Sequence, residues 1–222
     1  GNLTHDRVVD RLARHGEALE SGPDVELSRS VEGLAPAWPR AVLTKPVEQV
    51  HVVMGMRGIA REDPDRYALT VLNQALGGGM SSRLFQEIRE RRGLAYAVYS
   101  YRVAYVETGA FGVYAGTAPG RAAETIDVVG TELDRVIRDA GIGDDELTDA
   151  KSHLKGSMAL SLETSNSRMH RLGSSELMLG EALSLDEIAA RVDAVTPDDV
   201  ARVVDRLFSS GARTLAVVGP VD

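Results

Sequence analysis

The stretch GGGMSSRLFQEIRERRGLAYAVYS, residues 77–100, joins three glycines, an arginine-rich segment and a tyrosine-rich segment. A helix is predicted just before and into it, over 63–79, because apolar side chains recur there at i, i+3, i+4 and i+7. A second helix is predicted over 81–91, since Gly93 can take the left-handed conformation that closes a helix. The stretch therefore predicts two successive helices that lead into a strand.

Strand signals lie on both sides of these helices. A tyrosine-rich run, 96–105, and a glycine-rich run, 109–117, are separated by a short break, which predicts an antiparallel hairpin. A β-branched run over 49–59 reads as a buried strand, and 213–219 supplies a last strand near the end of the chain. These four segments are the predicted sheet.

The second half of the chain is predicted to be mostly helical. An amphipathic repeat covers 120–141, and two later helices open with recognisable caps. Ser184 and Glu187 have the spacing of a capping box, and Thr196 stands before Pro197, which is favoured at the first helical position. Further helices are predicted over 144–164 and 165–180. Because strands and helices come in blocks and do not alternate, the sequence predicts an α+β fold with an antiparallel β-sheet.

The first forty residues have a different character from the rest. An amphipathic helix is predicted over 4–20. The segment 21–40 holds three of the eight prolines, which indicates a linker, with one edge strand expected at 25–30. We therefore expect residues 1–40 to stand apart from a main domain over 41–222.

Composition argues against several classes of partner and site. The chain has 25 Lys and Arg against 33 Asp and Glu, a net charge of −8, which disfavours nucleic acid as a partner. It has no cysteine, so disulfides, thiolate zinc sites and thiol nucleophiles are excluded, and a reducing, cytoplasmic compartment is expected. No apolar run approaches the length that crosses a membrane, so no membrane partner is expected.

Local motifs for metal, nucleophilic or phosphate chemistry are missing. The five histidines are far apart, and neither H-x-x-E-H nor H-E-x-x-H occurs, so no metal ligand is predicted in this chain. No G-x-S-x-G motif occurs either. The glycine run at 77–79 lacks the lysine of a phosphate loop and follows a helix instead of a strand. A nucleotide site there remains an alternative that rests on the glycines alone, and a chain reversal between two helices is the other interpretation.

The arginines and tyrosines of the opening stretch allow two interpretations. Arg89, Arg91 and Arg92 come at the end of the second predicted helix, where cations stabilise the C-terminus. Tyr96 and the tyrosines that follow it, Tyr99, Tyr101 and Tyr105, can simply cover a sheet. From the residues alone, a structural role and a substrate-contacting role both stay open.

Three segments resemble a known family. They are DPDRYALTVLNQALGGGMSSRLFQEIRERRGLAYAVYS (63–100), TGAFGVYAGT (108–117) and KGSMALSLETSNSRMHRLGSSELMLG (155–180). They resemble the C-terminal half of the pitrilysin, or insulinase, family of zinc metallopeptidases, in the bacterial branch that is similar to mitochondrial processing peptidase. The likeness runs in order over about residues 40–210.

The resemblance implies that this chain is the non-zinc half of such a peptidase. Its domain would be an antiparallel sheet with helices on one face, and residues 1–20 and 21–40 would be the closing helix of a preceding domain and the connection. Zinc is expected in a partner N-terminal half that carries H-x-x-E-H, on the same longer polypeptide or on a separate subunit. The two halves would enclose an unfolded peptide, and this chain alone would be inactive as a peptidase.

Within RERRGLAY (89–96), Arg89 and Tyr96 have the seven-residue spacing of an Arg and a Tyr that contact the substrate backbone in active members of the family. The resemblance therefore implies catalytic and substrate-binding roles for both residues. The chemistry is suitable, because attack on a peptide carbonyl develops negative charge that preorganised donors stabilise. A guanidinium and a phenolic O–H are such donors. A non-catalytic scaffold subunit of a peptidase-like assembly is the alternative function.

Overall fold

The structure is a computed structural model that describes residues 3–17, 22, 39–209 and 212–221. The chain divides into two compact units, Gly1–Ser30 and Val31–Asp222. The first unit contains helix α1 (His5–Gly16), in which no residue is buried. Residues 18–20 of the predicted first helix and the edge strand expected at 25–30 lie outside the described residues. The domain boundary expected at residue 40 stays a prediction.

The second unit contains a five-stranded sheet with the spatial order β1-β5-β2-β4-β3. The strands are β1 (Arg40–Thr44), β2 (Val50–Gly58), β3 (Ala95–Ala104), β4 (Gly109–Thr117) and β5 (Thr214–Gly219). The pairs β2–β5, β2–β4 and β3–β4 are antiparallel, as predicted. The pair β1–β5 is parallel, and its strand β1 was not predicted. Sequence reasoning missed β1 because every residue of this edge strand is exposed, so it has no alternating burial pattern to detect.

Helices make up most of the remaining described residues. They are α2 (Arg66–Gly77), a π-helix (Phe85–Arg91), a 3₁₀ turn (Pro119–Arg121), α3 (Ala122–Arg138), α4 (Asp144–Ser161), α5 (Ser165–Leu179), α6 (Leu185–Asp193) and α7 (Pro197–Phe208). The predicted capping box is confirmed, because the Glu187 amide donates to Ser184 Oγ and the Ser184 amide donates to Glu187 Oε2. Thr196 caps α7 in the same manner, with Pro197 in the first turn. The α+β fold is thus confirmed.

The hydrophobic core lies between one face of the sheet and the helices. Burial alternates along β2, where every second side chain from Val50 to Met56 is buried, as expected for a strand with one covered face. Phe111 of β4 is fully buried and packs edge to face on Phe208 of α7, with ring centroids 5.3 Å apart. The buried hydrophobic residues of α2, α3 and α7 belong to the same cluster. The opposite face of the sheet carries exposed side chains, among them His51 and Tyr99.

Candidate functional site

The helix before β3 has an unusual geometry. Sequence reasoning predicted an ordinary helix over 81–91, whereas Phe85–Arg91 forms a π-helix. A π-helix has i→i+5 hydrogen bonds and a wider turn than an α-helix, so side chains four residues apart lie close to one face. Such segments are rare and occur often at functional sites. Gly93 follows with φ +58°, the left-handed conformation expected for it, and the chain turns directly into β3.

Arg89 lies between two aromatic rings. Its guanidinium carbon is 4.9 Å from the ring centroid of Phe85 and 5.4 Å from that of Tyr96. Arg89 is exposed, and no acidic side chain of the described residues pairs with it. Aromatic faces hold a guanidinium by cation–π attraction without using its N–H donors. The stacking therefore positions Arg89 and leaves its N–H groups available to an acceptor outside the chain.

The two neighbouring arginines differ from Arg89 in their partners. Arg91 Nη1 donates to Glu87 Oε2 at 3.1 Å, and Arg92 Nε donates to Glu87 Oε1 at 2.8 Å. Hydrogen bonds from Arg92 and then Arg91 hold the pKa of the Glu87 carboxyl below its usual value. Both guanidinium groups therefore donate to one carboxylate of the helix, which is consistent with a structural role for both residues. Of the three arginines, Arg89 alone lacks a carboxylate partner among the described residues.

Tyr96 occupies an irregular position in β3. Ala95 is opposite Thr117 and Ala97 is opposite Gly116, so Tyr96 is an extra residue between two registered pairs. A bulge of this kind changes the direction of a side chain at a sheet edge. The Tyr96 side chain is 75% exposed, and its hydroxyl makes no hydrogen bond with the described residues. The bulge thus leaves a ring in contact with Arg89 and a free phenolic donor.

An open cleft of about 550 Å³ lies beside Tyr96. Tyr96 and Ala95 of β3, Gly116 and Thr117 of β4, Arg121 and Glu48 contribute to its lining. Arg89 does not line the cleft itself. It contacts the ring of Tyr96, which does. The cleft lies next to β3, which is an outer strand of the sheet.

The glycine run at 77–79 has a packing explanation. A side chain at Gly77, the last residue of α2, would overlap the backbone nitrogen of Ser100 in β3. Gly78 has φ −85°, and none of the three glycines is in the left-handed region. The run therefore lets the end of α2 approach β3 closely and turn toward the π-helix. This observation favours chain reversal over the phosphate-loop alternative.

Sequence reasoning did not single out a polar cluster on the exposed face of the sheet. His51 Nδ1 and the Tyr114 hydroxyl are 2.8 Å apart, and the rings of Tyr99 and Tyr114 have centroids 5.0 Å apart. Burial raises the pKa of Tyr114. The alternation of β2 and β4 was the available signal, because it puts His51 and Tyr114 on the same face of adjacent strands. His51 is thus a hydrogen-bonded histidine on the sheet surface.

The described residues contain no group of three or more His, Cys, Asp or Glu side chains that could hold a metal ion. The zinc that the resemblance implies therefore has no fitting site in this part of the chain. Among the same residues, no helix is both long enough and apolar enough to cross a bilayer.

Comparison with known proteins identifies the family. The family described as the peptidase M16 inactive domain matches residues 1–154. The chain belongs to this family, which confirms its resemblance to the non-zinc half of these peptidases.

Named relatives agree with this assignment. The chain is 43% identical over 230 residues to an uncharacterized zinc protease of Streptomyces coelicolor, an alignment that covers 100% of this chain and 49% of that protein. It is 42% identical over 224 residues to an uncharacterized zinc protease of Mycobacterium tuberculosis strain H37Rv, covering 99% of this chain and 50% of that protein. The chain thus spans about half the length of the curated relatives it matches.

Two solved structures are similar in fold to this chain over 99% of its length. The crystal structure of a peptidase M16 inactive domain from Pseudomonas fluorescens is 26% identical, with a TM-score of 0.84 over 99% of this chain and 52% of that one. A protease from Helicobacter pylori is 22% identical, with a TM-score of 0.78 over 99% of this chain and 53% of that one, a likeness of fold alone.

Proposed function

We propose that this chain is the substrate-binding, non-zinc half of a zinc-dependent endopeptidase, and that Arg89 and Tyr96 contact the peptide near the bond to be cleaved. One observation carries the proposal. An exposed guanidinium with no carboxylate partner among the described residues is stacked on an exposed phenol whose hydroxyl has no partner there either. These two exposed donors are held next to each other and are not used within the described residues, so both can donate to one acceptor on another molecule.

A peptide carbonyl is the acceptor that suits this pair. Its oxygen gains negative charge when the carbonyl is attacked, and donors that are already in position stabilise that charge without reorganising. Arg89 supplies a permanent positive charge, and Tyr96 supplies a directional O–H. The contact of Arg89 with Phe85 and Tyr96 restricts the guanidinium before substrate arrives, which lowers the entropy cost of binding.

The edge of the sheet supports an extended peptide as the substrate. Strand β3 ends the sheet order, so one side of it has no neighbouring strand among those described. Edge strands offer backbone groups that an extended peptide can pair with. Tyr96 lies on this strand, and the open cleft beside it is wide enough for side chains of a peptide.

A second half is required for activity in this proposal. The chain covers about half of its relatives, and no residue of α5 is buried. Met169, Leu172, Leu177 and Met178 of α5 are exposed by 60%, 48%, 85% and 49%. Exposed apolar side chains on a helix in which no residue is buried indicate an interaction surface. We propose that this surface of α5 binds the half that carries H-x-x-E-H. The zinc and its chemistry belong to that half.

Peptide cleavage by the two halves, separate and combined, tests the proposal. A fluorogenic peptide pool is incubated with this chain, with the H-x-x-E-H half, and with both, each with and without a zinc chelator. We expect cleavage in the combined sample alone, and its loss on chelation. If the two halves dock, the second half holds zinc and the mixture still cleaves nothing, the scaffold alternative is favoured. The expected cytoplasmic location is part of the proposal and rests on the absence of cysteine.

A further inference from the structure

A second cleft, of about 220 Å³, lies away from Arg89 and Tyr96, where the ends of β2 and β3 meet α2, α5 and α6. Its walls are largely apolar and include Ile59, Leu69, Leu179 and Ile188. This volume is below the range of typical drug-sized pockets, so it suits a group about as large as one amino-acid residue.

Three arginines line this apolar cleft, and no acidic residue does. Arg66 pairs with Glu181 at 3.2 Å, and Arg61 donates to Met178 Sδ and to the Ala104 carbonyl. The Arg102 side chain makes no hydrogen bond or ion pair with the described residues. The cleft thus has a surplus of positive charge, carried by Arg61 and Arg102, and of these two side chains only Arg61 makes hydrogen bonds with the described residues.

The position of Arg102 makes an external anion the natural partner. Arg102 remains accessible to solvent, yet the surrounding walls remove part of its hydration and lower the pKa of its guanidinium. Removing water from a cation costs free energy when no partner replaces the water. A carboxylate would replace the lost interactions with charge-assisted hydrogen bonds. Arg102 is therefore the group in this cleft that a ligand would satisfy.

We propose that this cleft binds a carboxylate attached to an aliphatic or aromatic group, with Arg102 holding the carboxylate and Ile59, Leu179 and Ile188 contacting the apolar group. The C-terminal residue of a peptide and a free small organic acid share this chemistry. The inference is independent of the function proposed for Arg89 and Tyr96, because it uses neither residue nor the cleft beside them.

A titration followed by methyl NMR tests the site. Chain labelled at the Ile and Leu methyl groups is titrated with N-acetyl-leucine and, separately, with the neutral N-acetyl-leucinamide. We expect the acid to shift the methyl signals of Ile59, Leu179 and Ile188, and to bind at least about tenfold more tightly than the amide. Equal affinity for acid and amide, shifts confined to other methyl groups, or no response up to the solubility limit would overturn the proposal.

Two variants and a peptide pair complete the test. Arg102→Gln should remove the preference for the acid, whereas Arg138→Gln, at an exposed arginine in the last turn of α3, should leave it unchanged. Thermal unfolding of both variants shows whether the fold is retained. A peptide ending in leucine is then compared with its C-terminal amide. Tighter binding of the free peptide assigns the site to peptide C-termini, and a response to N-acetyl-leucine alone supports the site and assigns it to small acids.

Discussion

Arg89 and Tyr96 are in contact, with the guanidinium carbon 5.4 Å from the ring centroid, although one belongs to a helix and the other to a strand. Three local features produce this contact. The π-helix aligns Phe85 with Arg89, Gly93 reverses the chain, and the bulge at Tyr96 turns the phenol out of the regular sheet pattern. The pair is therefore arranged by the backbone and is not a result of side-chain flexibility.

Loss of the Arg89 guanidinium should slow catalysis without unfolding the protein. In an enzyme that contains both halves, we expect Arg89→Ala to lower kcat by about 10²–10³-fold, the usual effect of removing one donor to a developing negative charge. Arg89 is exposed and has no carboxylate partner among the described residues, so the free energy of unfolding should change little. Steady-state kinetics and urea unfolding of the same preparations measure both quantities.

Arg91→Ala is the matched control for this prediction. Arg91 is exposed on the same π-helix, but its guanidinium pairs with the Glu87 carboxylate. We expect kcat to stay close to that of the unmodified enzyme. Equal losses in the two variants would show that the effect comes from the net charge of the helix and not from Arg89.

Removal of the Tyr96 hydroxyl should also slow catalysis. Tyr96→Phe keeps the ring that contacts Arg89 and deletes only the phenolic donor, so we expect kcat to fall by about tenfold or more while KM changes little. Tyr105→Phe, at another exposed tyrosine just after β3, serves as the control. A Tyr96→Phe enzyme with full kcat would exclude the hydroxyl from the reaction.

The stability of the second unit should depend on the contact between β4 and α7. Phe111 is fully buried and packs on Phe208, so Phe111→Ala leaves a cavity in the core. We expect the free energy of unfolding to fall by about 3–5 kcal/mol, as for other buried phenylalanines. Urea unfolding measures the change. Leu177→Ala, at a side chain that is 85% exposed, should change it by less than about 0.5 kcal/mol in the isolated chain.

Acid should weaken the cap of α7. Hydrogen bonds from Thr196 and then from Arg202 lower the pKa of Asp199 from 3.8 to about 2. Because the pKa is lower in the folded chain, the stabilisation is complete above the ordinary value and is lost as the pH falls toward 2. Asp199→Asn should therefore remove stability at pH 6 and make a smaller difference near pH 2. Urea unfolding across this range tests the sign, with Asp198→Asn as the control in the same helical turn.

Periodicity predicted the parts of the fold that have one buried face. The helices α2, α3 and α7, the β3–β4 hairpin and the caps at Ser184 and Thr196 were all visible in the sequence. Strand β1 was not, because an exposed edge strand has no apolar alternation. The π geometry and the bulge at Tyr96 depend on hydrogen-bond register, which residue types alone do not specify.

The candidate site also has features that the sequence predicted and features that only the structure shows. Spacing and family resemblance together selected Arg89 and Tyr96, but not the contact of Arg89 with Phe85 or the pairing of Arg91 and Arg92 with Glu87. The cleft around Arg102 was also beyond sequence reasoning, since its walls come from three separate segments, 59–70, 102–104 and 179–188. Such sites are products of tertiary packing.

A double-mutant cycle tests most directly whether Arg89 and Tyr96 act together in the reaction. The kcat of a two-half enzyme is measured for Arg89→Ala, for Tyr96→Phe and for the double variant on one peptide substrate. If both donors act on the same developing charge and depend on each other for position, the double variant should lose little more activity than the more damaged single variant. Full activity in both single variants would contradict the account.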